Sequence, residues 1–430
     1  MMHIFSMKGK TKKMAIKPVP DAEVYYVPLL QHIGAPAQAC VAVGDRVEQY
    51  QLIGQSANGL STNIHTPVSG VVQAIENRAM ADGSQVPMVV IANDFESRTT
   101  AHESVNVDNL SPDAIVDIIR DKGIVGEGGA QFPTAVKYAL DGAKIDTFII
   151  NGTECEPYLS ADYALMNERT EQLFNGIYLI NKILKAEDVV ISIEKQNKEL
   201  QMVFEPFLNQ QKYNNIRIKV LPNEYPQGGE LQLIKSVTGI ELPRNKRPRE
   251  VGVIVSNVGT VYAVHEAVAN NRPLISRIIT ISGKAQGKEG NYEVKIGTPI
   301  SHILQSLNLS DEDKTLVLGG PMMGKHITDF SAPIVKGSSG VLFFEQAEIK
   351  RSNCISCGYC VDVCPMHLMP MKFEEIYRKK RYGSLTKYGI AACIECAACE
   401  YICPSNVPLI ESIKEGKIKL KQMADAILSI

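Results

Sequence analysis

Apolar residues change their spacing several times along the chain, and each change predicts a different kind of element. Over residues 28–90 they fall in short β-rich runs cut by turns: 39–43, the Gly44-Asp45 turn, 51–54, the Thr66-Pro67 break, 68–75 and 86–91. That is the pattern of a small all-β module. A polar link at 97–109 follows. Ser111 and Asp113 then open an amphipathic helix whose stripe is Ile115, Val116, Ile118 and Ile119, with Arg120 and Lys122 near its end. Beyond a glycine-rich loop, helix 134–140, strand 147–150, helix 162–183, strand 189–193, helix 195–207 and strand 216–221 alternate as an α/β domain does. From Pro273 the period shortens again, with strands 278–282 and 292–296, a helix at 303–307 and strand 315–318, which predicts a small β-grasp-like insert. The chain closes on a helix-forming stretch at 371–382 and a lysine-bearing helix at 409–428.

Composition narrows the class. The 430 residues carry 45 Lys+Arg against 47 Asp+Glu, a net charge of −2, so no global basic field favours nucleic acid. At 45% apolar the chain is not an acidic disordered one. No apolar run reaches the roughly 18–20 residues of a membrane span, and the polar stretch from Met7 to Lys17 is no secretory leader. A soluble, cytoplasmic chain of about three domains is expected. The Val43-Gly-Asp-Arg-Val47 turn and the run from Pro67 to Val72 look like the halves of a biotinyl/lipoyl-type sandwich. No lysine occurs between Val47 and Val86, so the module is read as structural and not as a swinging-arm carrier.

Eight of the ten cysteines lie between Cys354 and Cys403, a ligand cluster and not a disulfide framework. Cys354-x2-Cys357-x2-Cys360-x3-Cys364-Pro365 recurs as Cys393-x2-Cys396-x2-Cys399-x3-Cys403-Pro404, the spacing of bacterial two-cluster ferredoxins. Three close thiolates wrap one cubane and the fourth reaches its neighbour. One [4Fe-4S] cluster is therefore assigned to Cys354, Cys357, Cys360 and Cys403, the other to Cys364, Cys393, Cys396 and Cys399. Paired zinc sites use two spaced pairs with a longer gap and fit less well. Cys155 reads as a packed thiol, since nothing basic flanks it.

The loop Gly123-Ile-Val-Gly126-Glu-Gly128-Gly129-Ala-Gln-Phe132-Pro-Thr134 sits between two helices, where backbone N–H groups can approach a phosphate and Lys137 can add charge. Alone it reads equally as a plain loop, because no strand precedes it and Gln131 holds the third glycine position. Asn151-Gly-Thr-Glu154-Cys-Glu156-Pro follows a strand at the end where α/β folds place ligands, and reads either as a ribose or flavin grip or as a capping loop. Gly228-Gly229-Glu230 again joins strand to helix, a second phosphate or flavin contact. The run from Arg244 to Arg249 reads as a solvated loop or a nucleotide-phosphate grip. Asn257 to Thr260 end another strand, and His265 and His367 read as ordinary histidines.

Taken together, Pro28-Leu-Leu-Gln-His-Ile-Gly-Ala-Pro36, the first glycine loop, Asn151–Pro157, Gly228-Gly-Glu230 and the two quartets resemble the C subunit of the ion-translocating Rnf electron-transport complex. The middle section is similar to the flavin- and NADH-binding subunit of respiratory complex I. Pattern and resemblance together give four parts, a barrel-sandwich β module (28–96), a Rossmann-like FMN/NADH domain (110–270), a β-grasp insert (271–345) and a helical two-cluster ferredoxin domain (350–430), preceded by a basic segment (1–27) that departs from the family and, as a chain terminus, is expected to be loosely ordered. The resemblance implies Gly126, Gly128, Gly129 and Lys137 around the FMN phosphate, and Asn151, Glu154 and Glu156 nearer the isoalloxazine and ribityl. Phe132 would stack on nicotinamide or adenine, and Glu230, Asn257 and Thr260 would complete the pocket. NAD(H) as substrate, ferredoxin as indirect redox partner and the membrane subunits of the complex as neighbours follow from it, on the cytoplasmic face of the membrane. The competing expectation is a ferredoxin-type carrier or scaffold without flavin or nucleotide, and NADPH competes with NADH through the Arg244–Arg249 run.

Overall fold

Between Val24 and Asn93 the short apolar runs close into two facing sheets. One orders strands Val24–Pro28, Gln85–Asn93, Gly70–Ala79 and Arg46–Val47, the other Gln38–Ala39, Leu52–Gln55 and Ile64–His65, all antiparallel. Alternate residues such as Tyr25, Val27, Val89 and Ile91 point inward to one core. The run expected at 39–43 is strand only at Gln38–Ala39. The computed structural model describes residues 1–100, 107–243 and 246–428, with side chains through 425; Arg244 and part of the link at 97–109 lie outside the described residues.

The middle unit opens with α1 (Pro112–Asp121), whose Ser111 hydroxyl accepts the Ala114 N–H at 3.2 Å as an N-cap. The further helices are α2 (Thr134–Tyr138), α3 (Ala161–Glu168), α4 (Thr170–Leu184), α5 (Leu200–Leu208), α6 (Glu230–Thr238) and α7 (Val258–Ala269). The single helix expected at 162–183 is two, broken at Arg169. There the Thr170 hydroxyl donates to the Met166 carbonyl at 2.8 Å, a side-chain competitor for the helical ladder. Lys195–Asn197 is a separate 3-10 turn before α5.

Four parallel strands form the sheet, in the order Ile216–Leu221, Asp188–Glu194, Thr147–Gly152, Val253–Asn257. The chain starts in the middle, steps outward twice, then crosses to the other side. The reversal falls between Thr147–Gly152 and Val253–Asn257, the place where open α/β sheets leave a crevice at their carboxyl ends. Phe148 and Ile150 pack on one face with α1, α4 and α7, while Ile149 packs on the other with Leu233 and Ile234 of α6.

The third unit is a six-stranded mixed sheet, Ile16–Pro18, Gly290–Lys295, Ser276–Gly283, Gly340–Glu345, Lys314–Leu318 and Lys325–His326, packed under helix Ile300–Ser306. Its first strand comes from the N-terminal segment, which corrects the expectation of a loosely ordered start. Lys8 is 3% exposed and Thr11 fully buried, and Met2 exchanges backbone hydrogen bonds with Tyr225 at 2.7 and 3.0 Å. The segment is polar in sequence because its partners are buried polar groups that only the folded chain assembles. The last unit is helical, with Tyr359–Asp362, Pro370–Arg378, Ala398–Tyr401 and Leu409–Leu428. Among the described residues no helix is long and apolar enough to cross a membrane.

Candidate functional site

The glycine loop folds back on itself. The Gly126 N–H donates to the Phe132 carbonyl at 2.9 Å and the Thr134 N–H to the Ile124 carbonyl at 3.0 Å. Its anchor is Thr260 in the first turn of α7, whose hydroxyl accepts the Glu127 N–H at 2.9 Å; Thr260 is thereby buried beneath the loop. Gly128 lies so close to Asn257 that a Cβ would sit 2.8 Å from that side chain, whereas one at Gly129 would meet nothing within 4 Å. Asn257 caps α7 through the Gly259 N–H at 2.8 Å and donates to Asp162 at 2.7 Å. Asn151, at the end of the neighbouring strand, donates to the Gly228 carbonyl at 2.9 Å. The loops carrying Gly126–Gly129, Asn151, Gly228–Glu230 and Asn257 thus converge on the sheet's switch point. Lys137 and Glu230 pair at 3.0 Å, both partly exposed, and Phe132 is half-buried. With only five residues, α2 brings little dipole to the loop.

A second feature has no signature in the sequence. Glu127, inside the glycine loop, forms a buried ion pair with Arg277 of the third unit. Behind it a cavity of about 570 Å³, lined in part by Asp162, Arg169, Gly259, Tyr262 and Arg277, has the size of small-molecule sites.

The acidic motif divides in two. Glu154 is buried, accepts the Asp162 N–H at 3.1 Å and lies 3.7 Å from Lys8, which also approaches Glu194 at 3.8 Å. Burial pushes Glu154, Glu194 and Asp162 up, Asp162 to about 7. Glu156 turns away, into a nest formed by the Met322 and Met323 N–H groups at 3.0 Å each. A Cβ at Gly320 would sit 2.2 Å from its carboxylate. Burial pushes Glu156 up to about 7 despite those donors. Cys155 accepts the Gly228 N–H at 3.4 Å, and burial pushes its thiol up to about 12. Arg249 of the basic run is engaged with the Ala139 carbonyl at 3.1 Å and Asp141 at 3.3 Å.

Several buried acceptors here have no hydrogen-bond partner among the described residues: Thr134 Oγ1, Glu154 Oε2, Gln227 Oε1 and Gln232 Oε1. Unsatisfied buried acceptors fit a ligand that offers hydroxyl donors, as a ribityl chain does.

The cysteines separate by position in space and not by motif. Cys354, Cys357, Cys360 and Cys403 line one cavity with Gly358, Met371 and Val407. Burial raises Cys360, and next the charges of Cys354, Cys357 and Cys403. Burial pushes Cys396 up to about 11, followed by Cys393 and Cys364. Cys399 is raised by burial, then by Cys393, Cys396, Cys364 and lastly Cys360, so the two groups lie side by side. Backbone N–H groups of Ser356, Leu368 and Glu395 reach Cys354, Cys364 and Cys393 sulfurs at 3.4 Å each, the donors that stabilise thiolate and sulfide charge. Among the described residues no group of three or more His, Cys, Asp or Glu closes on a single metal ion. Cys354, Cys357, Cys360 and Cys403 face one shared space, as the ligands of a single cluster do.

Residues 119–266 match the Nuo51 FMN-binding domain, 2–96 the RnfC barrel sandwich hybrid domain and 353–407 the 4Fe-4S dicluster domain. The C subunit of the ion-translocating oxidoreductase complex of Pseudomonas aeruginosa is 39% identical over 98% of this chain and 55% of its own length. That of Rhodobacter capsulatus is 38% identical over 98% of this chain and 82% of its own, and that of Haemophilus influenzae 34% over 99% and 66%. The chain thus spans about half the length of the Pseudomonas relative. A chain of an NAD+-reducing [NiFe]-hydrogenase in the air-oxidised state shares the fold, with TM-score 0.51 and 21% identity over 66% of this chain and 55% of that one. With a Nuo51-type FMN-binding domain and a 4Fe-4S dicluster domain joined to the RnfC barrel sandwich, the chain belongs to the RnfC family, the C subunits of ion-translocating oxidoreductase complexes.

Proposed function

We propose that the chain is a peripheral electron-transfer subunit of a membrane-bound, ion-translocating NAD:ferredoxin oxidoreductase, a translocase-type enzyme. FMN would exchange hydride with NAD(H), and two [4Fe-4S] clusters would carry the electrons singly. The observation that carries this reading is the convergence of four loops on the switch-point crevice, in a chain whose eight clustered cysteines form two interleaved groups beside it.

In this reading the Gly126, Gly128 and Gly129 backbone cradles the phosphate, with Lys137 at the rim. Asn151, Glu154, Gly228, Gly229, Glu230 and Asn257 shape the crevice, Phe132 covers it, and Thr260 holds the loop in register. Glu156 ties the crevice to the Met322–Met323 loop. The thiolates of Cys354, Cys357, Cys360 and Cys403 hold one cluster, and those of Cys364, Cys393, Cys396 and Cys399 the other. The unit at 271–345 is read as a β-grasp (SLBB-type) domain, that at 110–270 as the FMN/NADH domain and that at 350–430 as the ferredoxin domain. Partners are the other subunits of the complex and, indirectly, ferredoxin, at the cytoplasmic face.

An anaerobic NADH titration of the iron-reconstituted, FMN-supplemented protein tests the reading. Flavin absorbance near ~450 nm and cluster absorbance near ~420 nm should bleach together. Clusters that reduce with dithionite while NADH does nothing and no flavin is retained would establish the carrier reading instead.

A further inference from the structure

We infer that Tyr225 is a positioning residue for the second cysteine motif, holding the Cys396 peptide against the middle unit and so setting the reduction equilibrium of the cluster proposed at Cys364, Cys393, Cys396 and Cys399. The inference rests on the proposed ligation of that cluster. The Tyr225 hydroxyl lies 2.7 Å from the Cys396 carbonyl across 171 residues of sequence. A carbonyl only accepts, so the phenol's single proton is committed there; its other neighbour, Glu156 Oε1, is at 3.5 Å. The phenol is aimed from a fixed base. Tyr225 is 1% exposed, its N–H and carbonyl are both bonded to Met2, and its ring packs with Cys396, Ala398, Cys155 and Ile394.

The repeat supplies an internal comparison. Cys357 holds in the first motif the place Cys396 holds in the second. Each is flanked by two residues in left-handed backbone, Ser356 (φ 56°) and Gly358 (φ 85°) in one, Glu395 (φ 57°) and Ala397 (φ 60°) in the other. Where the first motif has glycine the second has alanine, for which that conformation is strained. Cys357 is solvent-exposed and Cys396 buried. The second loop thus carries more strain and is the one clamped by a buried hydrogen bond from outside. A clamped loop keeps its N–H groups on the sulfurs. That favours the reduced state, which carries one more negative charge.

The test is an EPR-monitored redox titration of the full, reconstituted chain in wild-type, Tyr225→Phe and Cys396→Ser forms. Tyr225→Phe keeps the ring and removes the hydroxyl. Its reduction equilibrium at one cluster should fall about fivefold, close to 40 mV at 59 mV per decade, with the other cluster unmoved. The wave that shifts should be the one altered in Cys396→Ser. Unchanged waves in Tyr225→Phe, or both waves shifted equally, would overturn the inference while leaving the clusters in place. A wild-type chain without two cluster signals, or a Cys396→Ser chain that keeps both unaltered, would overturn the ligation itself. If Tyr225→Phe loses iron from this site, adding Ala397→Gly should restore it, because glycine adopts the loop without the clamp. A failure to restore it also overturns the inference.

Discussion

Glu156 shows how one carboxylate can serve architecture from inside a motif that reads as ligand-binding. Two N–H donors at 3.0 Å favour its charged form, yet burial wins and its pKa rises from 4.5 to about 7. A carboxyl raised in the native state binds its proton more readily folded than unfolded. Its stabilising contribution is therefore fully present below about pH 4.5 and is lost as pH rises through 7. Asp162, raised to about 7, acts in the same sense. Glu156→Gln removes the titration and keeps the side chain's size, with its single oxygen accepting from one of the two N–H groups. Urea denaturation between pH 4.5 and 8 should show a shallower decline for the variant, by an amount on the order of 3 kcal/mol over the window. Parallel curves for the two proteins would refute this account.

Among the elements, the glycine loop separates into residues packed on protein and residues left open. Gly128 abuts Asn257, which also caps α7 and holds Asp162, so Gly128→Ala should destabilise the apo chain by about 1–3 kcal/mol. Gly129 has no protein neighbour within 4 Å of a Cβ. Gly129→Ala should leave the apo melting temperature unchanged and weaken FMN binding about tenfold if the phosphate lies there, as read by flavin fluorescence quenching. Wild-type FMN affinity in Gly129→Ala would remove the loop from the phosphate site. Elements with a strong local period are legible in the sequence: strand Ile216–Leu221 and helix Leu409–Leu428 have the limits the spacing predicts. Strand Gly340–Glu345 and the break at Arg169 are not, because the first is defined by its sheet partners and the second by one hydroxyl. Lys8, Glu127–Arg277 and Tyr225 escape sequence reasoning for the same reason, since each acts through a partner more than a hundred residues away and no local pattern encodes it.

For the whole molecule, the two cysteine groups differ in their distance from solvent although their motifs are alike. Cys354 and Cys357 are exposed, as are Ile355 and Tyr359 beside them, whereas Cys396 is buried against the middle unit and Cys399 is buried with Cys360 inside the helical unit. Packing by Tyr225, Met322 and Ile4 covers one side of the molecule, where four parts of the chain meet, and leaves the other open. Oxygen and chelators reach a cluster through its exposed edge, so equal ligands need not mean equal lifetimes. The group at Cys354, Cys357, Cys360 and Cys403 should lose its signal several-fold faster on air exposure than the group at Cys364, Cys393, Cys396 and Cys399. Cluster EPR followed over time after a controlled oxygen pulse measures both, with Cys354→Ser and Cys393→Ser chains assigning the signals. If the two decay together, one cluster's loss unfolds the other's site, which the shared contacts of Cys360 and Cys399 would explain. If the buried group decays first, solvent reaches it by a path that the static packing does not contain, and burial of the ligands does not set the order of decay.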